Sequence, residues 1–167
     1  MTPYPQRSHP SGSRGDGYRG PGGNRSGGQQ ENRSVDCQSL PWLAEIRFAA
    51  PLDPQIFSDV AKRVAKEIPT SNTRVNRPSQ LRRFYDEIVL WEDKVRAAPE
   101  RFEEYRPFLL MMNAKAAYAQ GREVVSGEFA CLVQHTLAQV QDEKSLHLCK
   151  LFWEAFMGFY KLERPND

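Results

Sequence analysis

The chain has 167 residues, 40% apolar and 26% charged, enough for one folded domain plus a tail. No apolar run approaches the ~18 residues a membrane span needs, and residues 1–34 hold no Val, Ile, Leu or Phe, so no membrane span or hydrophobic signal is expected and the cytoplasm is the expected compartment. The formal charge of +2 is uneven: residues 1–35 carry five Arg against Asp16 and Glu31, leaving 18 basic and 19 acidic residues for 36–167, so any affinity for nucleic acid must come from local clusters rather than net charge.

Residues 1–35 are rich in Gly, Ser, Pro and Arg and hold eight of the eleven glycines. With almost nothing to bury, ordering them would cost backbone entropy without return, and a disordered tail is expected. Arg14-Gly15 and Tyr18-Arg19-Gly20 are reminiscent of Arg-Gly-rich RNA-binding tails, and the plainer alternative is a solvated leader without a dedicated partner. A helical domain is expected over residues 36–167. Leu40-Pro41-Trp42-Leu43-Ala44-Glu45-Ile46 predicts one apolar turn packed on the core.

Asp53-Pro54 reads as a cap followed by proline at the first helical position. Ile56, Phe57, Val60, Ala61, Val64, Ala65 and Ile68 then follow at helical spacing until Pro69. After a polar loop over 70–78, Ser79 is expected to cap a second helix striped by Leu81, Phe84, Tyr85, Ile88, Trp91 and Val95 and ended at Ala98-Pro99. Glu100 to Tyr105 is expected to form a single turn, and Pro107 to open a third helix running to Gly121. Ser126 caps a fourth helix with Phe129, Leu132, Val133, Thr136, Leu137 and Val140 inward. Asp142 caps a fifth, with Leu148, Phe152, Ala155, Phe156 and Phe159 inward. No alternating strand is evident, so the expected fold is all-α, a compact bundle of about five helices.

The third helix is apolar nearly all round, from Phe108 to Gln120, and is expected to be central in the bundle. The fifth has an apolar surface widened by Leu146, Trp153, Met157 and Tyr160. That width fits either burial between neighbouring helices or contact with a second protein. Leu90 falls on the solvent side of the second helix, so Leu90, Trp153, Met157 and Tyr160 are the candidate protein contacts.

Catalysis has no candidate constellation. Cys37, Cys131 and Cys149 are odd in number and widely spaced, indicating no disulfide framework or zinc knuckle, and buried thiols are expected. Cys131 and His135 are four apart, but two ligands do not make a metal site. His135 and His147 fall on polar helix faces, and paired carboxylates such as Asp86/Glu87 and Glu103/Glu104 lie among Arg and Lys. No phosphate-cradling glycine loop interrupts the domain, so no cofactor or metal is expected.

Cations give a better signal. Lys62, Arg63, Lys66, Arg74, Arg77, Arg82 and Arg83 stand against the single acid Glu67. Arg74 and Arg77 lie in the loop, where a guanidinium can take a phosphate through two hydrogen bonds. At about 100° per residue, Met111, Lys115, Tyr118 and Arg122 fall on one narrow stripe of the third helix. Cation, ring and cation in line fit a groove that tracks phosphates. Equally, Lys115 and Arg122 could pair with acids such as Glu123 and Tyr118 be core.

Two segments resemble a known family. Arg77-Pro78-Ser79-Gln80-Leu81-Arg82-Arg83-Phe84-Tyr85 resembles the Thr/Ser-Gln-Leu-Arg-Lys-Phe-Tyr signature of the small subunit of type III-A CRISPR effector (Csm) complexes. Ala114-Lys115-Ala116-Ala117-Tyr118-Ala119-Gln120-Gly121-Arg122 resembles that family's Lys-x-x-Tyr-Ala-x-Gly-Arg. The resemblance spans roughly residues 50–165 and leaves out the tail and the segment around Trp42. It implies a non-enzymatic subunit that stacks in several copies along the guide RNA–target RNA duplex, beside backbone and large subunits. By that analogy Arg82, Lys115 and Arg122 are the matching basic positions, Arg83 stands where the family often has Lys, and Tyr118 matches too. The alternatives are a helical adaptor that binds only protein, and a helical ribonuclease.

Overall fold

The computed structural model describes residues 35–165; apart from Val35, the expected tail lies outside them. Five helices form the fold: α1 Asp59–Glu67, α2 Pro78–Ala97, α3 Phe102–Gly121, α4 Gly127–Ala138 and α5 Glu143–Glu163. Short 3-10 turns at Cys37–Ser39, Pro41–Glu45, Pro54–Phe57 and Pro99–Arg101 complete the described residues, which contain no strand.

The bundle is organised by α5. Most of its wide apolar surface, which fitted either burial or partner contact, is buried inside the molecule, mainly against α1 and α2. Phe152, Trp153, Phe156 and Tyr160 are wholly buried. Their rings form a continuous file, with centroids 5.5 Å apart from Trp153 to Phe156 and from Phe156 to Tyr160, and Phe129 of α4 5.6 Å from Trp153. Both polar tips are satisfied: Trp153 Nε1 donates to Thr136 Oγ1 at 3.1 Å, and the Tyr160 hydroxyl donates to the Asn76 carbonyl at 2.7 Å. Trp153 and Tyr160 are therefore core side chains and offer nothing to a partner. Correspondingly, α3 is not central. Only Leu109, Met112 and Ala116 of its middle are buried, while Phe108, Leu110, Met111 and Tyr118 face outward.

Three helix starts differ from the sequence pattern. Helix α2 is capped by Arg77 and not by Ser79, because Pro78 suits the first helical position and Gln80 Oε1 accepts from Arg77 N at 3.2 Å. Asp53 caps as expected, its carboxylate accepting from Gln55 N at 2.9 Å, but it caps a 3-10 turn, and the α-helix restarts after Ser58. The break lets Ile56 bury while this turn packs on α5. Pro107 does not open α3 but lies within it. A proline so near a helix start removes one hydrogen bond, to the carbonyl of exposed Glu103, and buried Phe102 and two acids in the first turn hold the added turn in place. The expected caps of α4 and α5 are present: Ser126 Oγ accepts from Phe129 N at 3.3 Å, and Asp142 from Ser145 N at 2.8 Å.

Ahead of α1, Val35–Phe48 forms a strap along α4. Trp42, Leu43, Ile46 and Phe48 are buried, as expected for an apolar turn on the core. Polar bonds fix its course: Gln139 Nε2 donates to the Ile46 carbonyl at 2.9 Å, and Phe48 N donates to Gln139 Oε1 at 2.9 Å. His135 Nε2 also lies 3.0 Å from the Ile46 carbonyl, so it faces the strap rather than solvent and carries the proton on that nitrogen. At the other end, a Cβ on Gly127 would come within 2.5 Å of Val35 Cγ2, which is why glycine starts α4 here.

The cysteine expectation is corrected at the same place. Cys37 and Cys131 form a disulfide, joining residues 94 apart in sequence, and only Cys149 is a free buried thiol. Sequence spacing hides this pair because the strap's path along α4 brings the two together.

Two stability tests follow. In the oxidised chain, Cys37→Ser is expected to cost about 2–4 kcal/mol. A reductant should lower the melting temperature of the wild type and leave that of the variant unmoved, as read by circular dichroism. Asp142→Ala is expected to cost about 1 kcal/mol at neutral pH. Hydrogen bonds from Ser145, hydroxyl first and backbone second, hold the Asp142 carboxyl below its usual range. A depressed pKa means that this stability is present above the ordinary carboxylate range and lost as pH falls through the lowered value. The gap between wild type and variant in thermal melts should accordingly close in acid.

Candidate nucleic-acid interface

The loop between α1 and α2 is held by Asn76, which is buried and has a left-handed backbone (φ 56°). Asparagine tolerates that conformation better than most residues. Its N–H donates to the Val124 carbonyl at 3.0 Å, and its Oδ1 accepts from Ser126 N at 2.8 Å. Its Nδ2 donates to the Pro69 carbonyl at 3.0 Å, while its own carbonyl takes the Tyr160 hydroxyl. Arg164, also buried, adds bonds to the carbonyls of Val75 and Asn72, at 2.5 and 2.8 Å. One residue thus joins the exit of α1, the entry of α2, the α3–α4 turn and the end of α5.

A common basic end results. Arg74 and Arg77 lie on the clamped loop, Arg82 and Arg83 in the opening turns of α2, Lys66 in the last turn of α1, and Arg122 just after α3. Lys62 stands one turn further back on α1, whose main packing is on α5, and the structure does not bring it to the row on α3. Lys62, Lys66, Arg74 and Arg83 are exposed and form no ion pair among the described residues. The others are partly committed. Arg77 Nε donates to the Thr73 carbonyl at 3.1 Å, and Arg82 Nε pairs with Asp86 at 2.9 Å while its guanidinium lies 5.3 Å from the Tyr85 ring. The bond to Asp86 raises the Arg82 pKa above its ordinary value, so Arg82 is a fixed cation.

From this end a second row runs along the junction of α2 and α3. Lys115 Nζ meets Glu87 Oε1 at 2.5 Å, so it pairs across to α2 and not with Glu123. Exposed surface pairs of this kind contribute little, ~0–1 kcal/mol, and leave the ammonium available to a phosphate. Tyr118 is 67% exposed and is not core; Arg122 lies over its ring at 5.6 Å. Lys115, Tyr118 and Arg122 therefore share one outer face, as their spacing implied, and Arg83, Leu90 and Lys94 occupy the adjoining face of α2. Leu90 is exposed as expected. Met157, half-buried, lines a groove of about 570 Å³ between α2 and α5 together with Arg82 and Lys161.

Groups able to do acid–base or nucleophilic work are occupied in structure. His147 Nδ1 lies 2.9 Å from Glu92, a buried carboxylate that also faces Arg96 at 3.6 Å. Glu103 and Glu104 pair with Arg106 and Arg101 at 3.7 and 2.8 Å. Burial pushes the Cys149 thiol up to about 12, far from a thiolate at neutral pH. Among the described residues no three His, Cys, Asp or Glu side chains gather as a metal site, and no helix is long and apolar enough to cross a membrane.

What sequence missed is Asn76 and Glu87. The former stood in a polar loop with no sign of burial, and the latter looked like one of a pair of surface acids. A non-glycine residue needing a left-handed backbone just before Arg77-Pro78 was the one available hint for Asn76.

A family model described as Csm2 Type III-A matches residues 52–166, more than half of the chain. Residues 35–51, which include the strap, fall outside the match. No curated protein and no solved structure matches the chain.

Asn76→Ala is expected to destabilise the fold by about 2–4 kcal/mol, since it strands the Pro69 carbonyl and the Ser126 N–H and leaves alanine in a left-handed backbone. Asn76→Gly, which keeps the backbone freedom and loses the same side-chain bonds, should recover only a minor part in chemical denaturation.

Proposed function

The chain belongs to the Csm2 type III-A family, the small subunit of the type III-A CRISPR effector (Csm) complex, and we propose that within that complex it grips RNA without cutting it. The carrying observation is the set of exposed cations at the Asn76-clamped end, continued along α3 by Lys115 and Arg122. The RNA-binding residues proposed are Lys62, Lys66, Arg74, Arg77, Arg82, Arg83, Lys115, Tyr118 and Arg122.

A small subunit serving any guide must accept any sequence, so its contacts fall on phosphate and sugar rather than on base edges. Arg and Lys on rigid helices suit that task. Because the folded part has no excess of positive charge, attraction acts at short range and is screened by salt. Modest affinity per subunit suffices when several copies, with the backbone and large subunits, share one guide RNA–target RNA duplex in the cytoplasm. Leu90 and Met157 are proposed as contacts to neighbouring protein subunits. The commitment of His147, Glu92 and Cys149 to structure supports a non-enzymatic role.

Lys115→Ala with Arg122→Ala is expected to weaken RNA retention several-fold at unchanged helical circular dichroism. Across a salt series the pair should lower the slope of log affinity against log salt by roughly 1–2. A chain that ignores RNA at low ionic strength and stays out of guide-loaded particles would overturn the proposal in favour of a protein-only adaptor. Cleavage of a labelled RNA by the pure chain would overturn the non-enzymatic role.

A further inference from the structure

Beyond the cationic end, the α2–α3 junction carries a group of aromatic rings with no part in phosphate binding. Trp91 of α2 and Phe108 of α3 stack nearly flat, centroids 5.1 Å apart and planes inclined by 15°. Tyr105 closes the back of the group, 5.8 Å from Trp91. Lys94 Nζ lies 4.5 Å from the Trp91 ring centre, and the Arg101 guanidinium 5.1 Å from that of Tyr105. Phe108 remains 48% exposed, so the ring face turned away from Trp91 is open.

Packing alone accounts poorly for this arrangement. A phenylalanine half in water forgoes much of the gain that burial would bring. The Trp91 indole N–H is buried and finds no acceptor, a cost that an aliphatic side chain at this position would not carry. What the pair does provide is a flat, pre-oriented, open π-surface. Lys94, which has no carboxylate partner among the described residues, stands next to it.

We propose that Phe108, backed by Trp91, is a stacking platform for one unpaired nucleobase of the bound RNA, with Lys94 placed for its phosphate. Base-on-ring stacking is indifferent to sequence because every base has a π-face, so it suits the same task as the backbone contacts. A paired base has both faces covered by its neighbours, which directs the platform to a single-stranded end or a splayed nucleotide. On α3 the platform lies ten residues from Tyr118, about 15 Å along the helix. Lys115 stands between the two rings and Arg122 just past Tyr118, so stacking and phosphate sites alternate along one face. Glu104, the acid one turn before Phe108, is held by Arg101 at 2.8 Å.

This inference rests on the RNA-binding proposal, and the test separates the two. The full chain is titrated at low ionic strength with a single-stranded RNA carrying one 2-aminopurine and with a blunt RNA duplex. Stacking predicts quenched 2-aminopurine fluorescence on binding. Phe108→Ala and Phe108→Leu should each abolish the quenching and weaken single-strand binding roughly tenfold. Phe108→Tyr should keep both, and duplex binding should change little in all three variants. RNA binding that is equal in all variants overturns the platform and leaves the cationic interface standing. Absence of RNA binding by the wild type overturns both. Loss of chain–chain association in Phe108→Leu by sedimentation, with RNA binding intact, overturns the platform in favour of a protein contact. Because Phe108 is half exposed and the leucine variant keeps its bulk, folding of the variants is checked by helical circular dichroism.

Discussion

A single buried amide sets the relation between the parts of this molecule that carry charge. The Asn76 side chain and backbone make four hydrogen bonds to three separate segments. Two of those bonds, to the Pro69 carbonyl and from Ser126 N, belong to the side chain, and without it both part-buried partners would be left unsatisfied, which costs more than a formed bond gains. Position is thereby enforced. The loop with Arg74 and Arg77 cannot swing away from Arg122, because the segment after Arg122 is bonded to the residue before Arg77. Rigid placement matters for a phosphate ligand, whose capture by flexible side chains would otherwise carry the entropy of ordering the loop as well.

The second constraint is the ring file of α5, and it explains why composition misjudged two helices. Helix α3 is the more uniformly apolar between Phe108 and Tyr118, yet the residues between those two rings are largely alanine, methionine and leucine, with no ring to bury. The four wholly buried rings of α5 carry far more. Burial follows area removed from water, so the helix with Phe152, Trp153, Phe156 and Tyr160 takes the centre and α3 is left at the surface with Phe108, Leu110, Met111 and Tyr118 outward. Counting apolar letters around a helical wheel does not weigh their size.

Much of the fold was nevertheless legible. The caps Ser126 and Asp142, the proline-marked loops and the 3.6-residue spacing place all five helices, with errors confined to the starts of α1, α2 and α3. Helix starts are decided by one or two hydrogen bonds, and tertiary packing outweighs that local preference. The stripe of Lys115, Tyr118 and Arg122 could be read from spacing because all three lie on one helix. The Lys115–Glu87 pair, the Cys37–Cys131 bridge and the Asn76 hub could not, since each joins residues on different elements whose packing the pattern does not encode.

Electrostatics links these observations to the proposed role of a subunit whose copies share one RNA. A strongly basic subunit would repel its own copies and bind RNA wherever it met it. Here nearly equal numbers of acids and bases keep the long-range field weak. Acids such as Asp86 and Glu87 sit beside Arg82 and Lys115 without burying them, which orients the cations and moderates their pull. A phosphate backbone brought within contact distance by the rest of the assembly would meet side chains already extended toward it. A free RNA at a distance would meet almost no field. On the proposed role, selectivity for RNA held by the complex over RNA at large would arise from where the cations stand, because their number is balanced by acids.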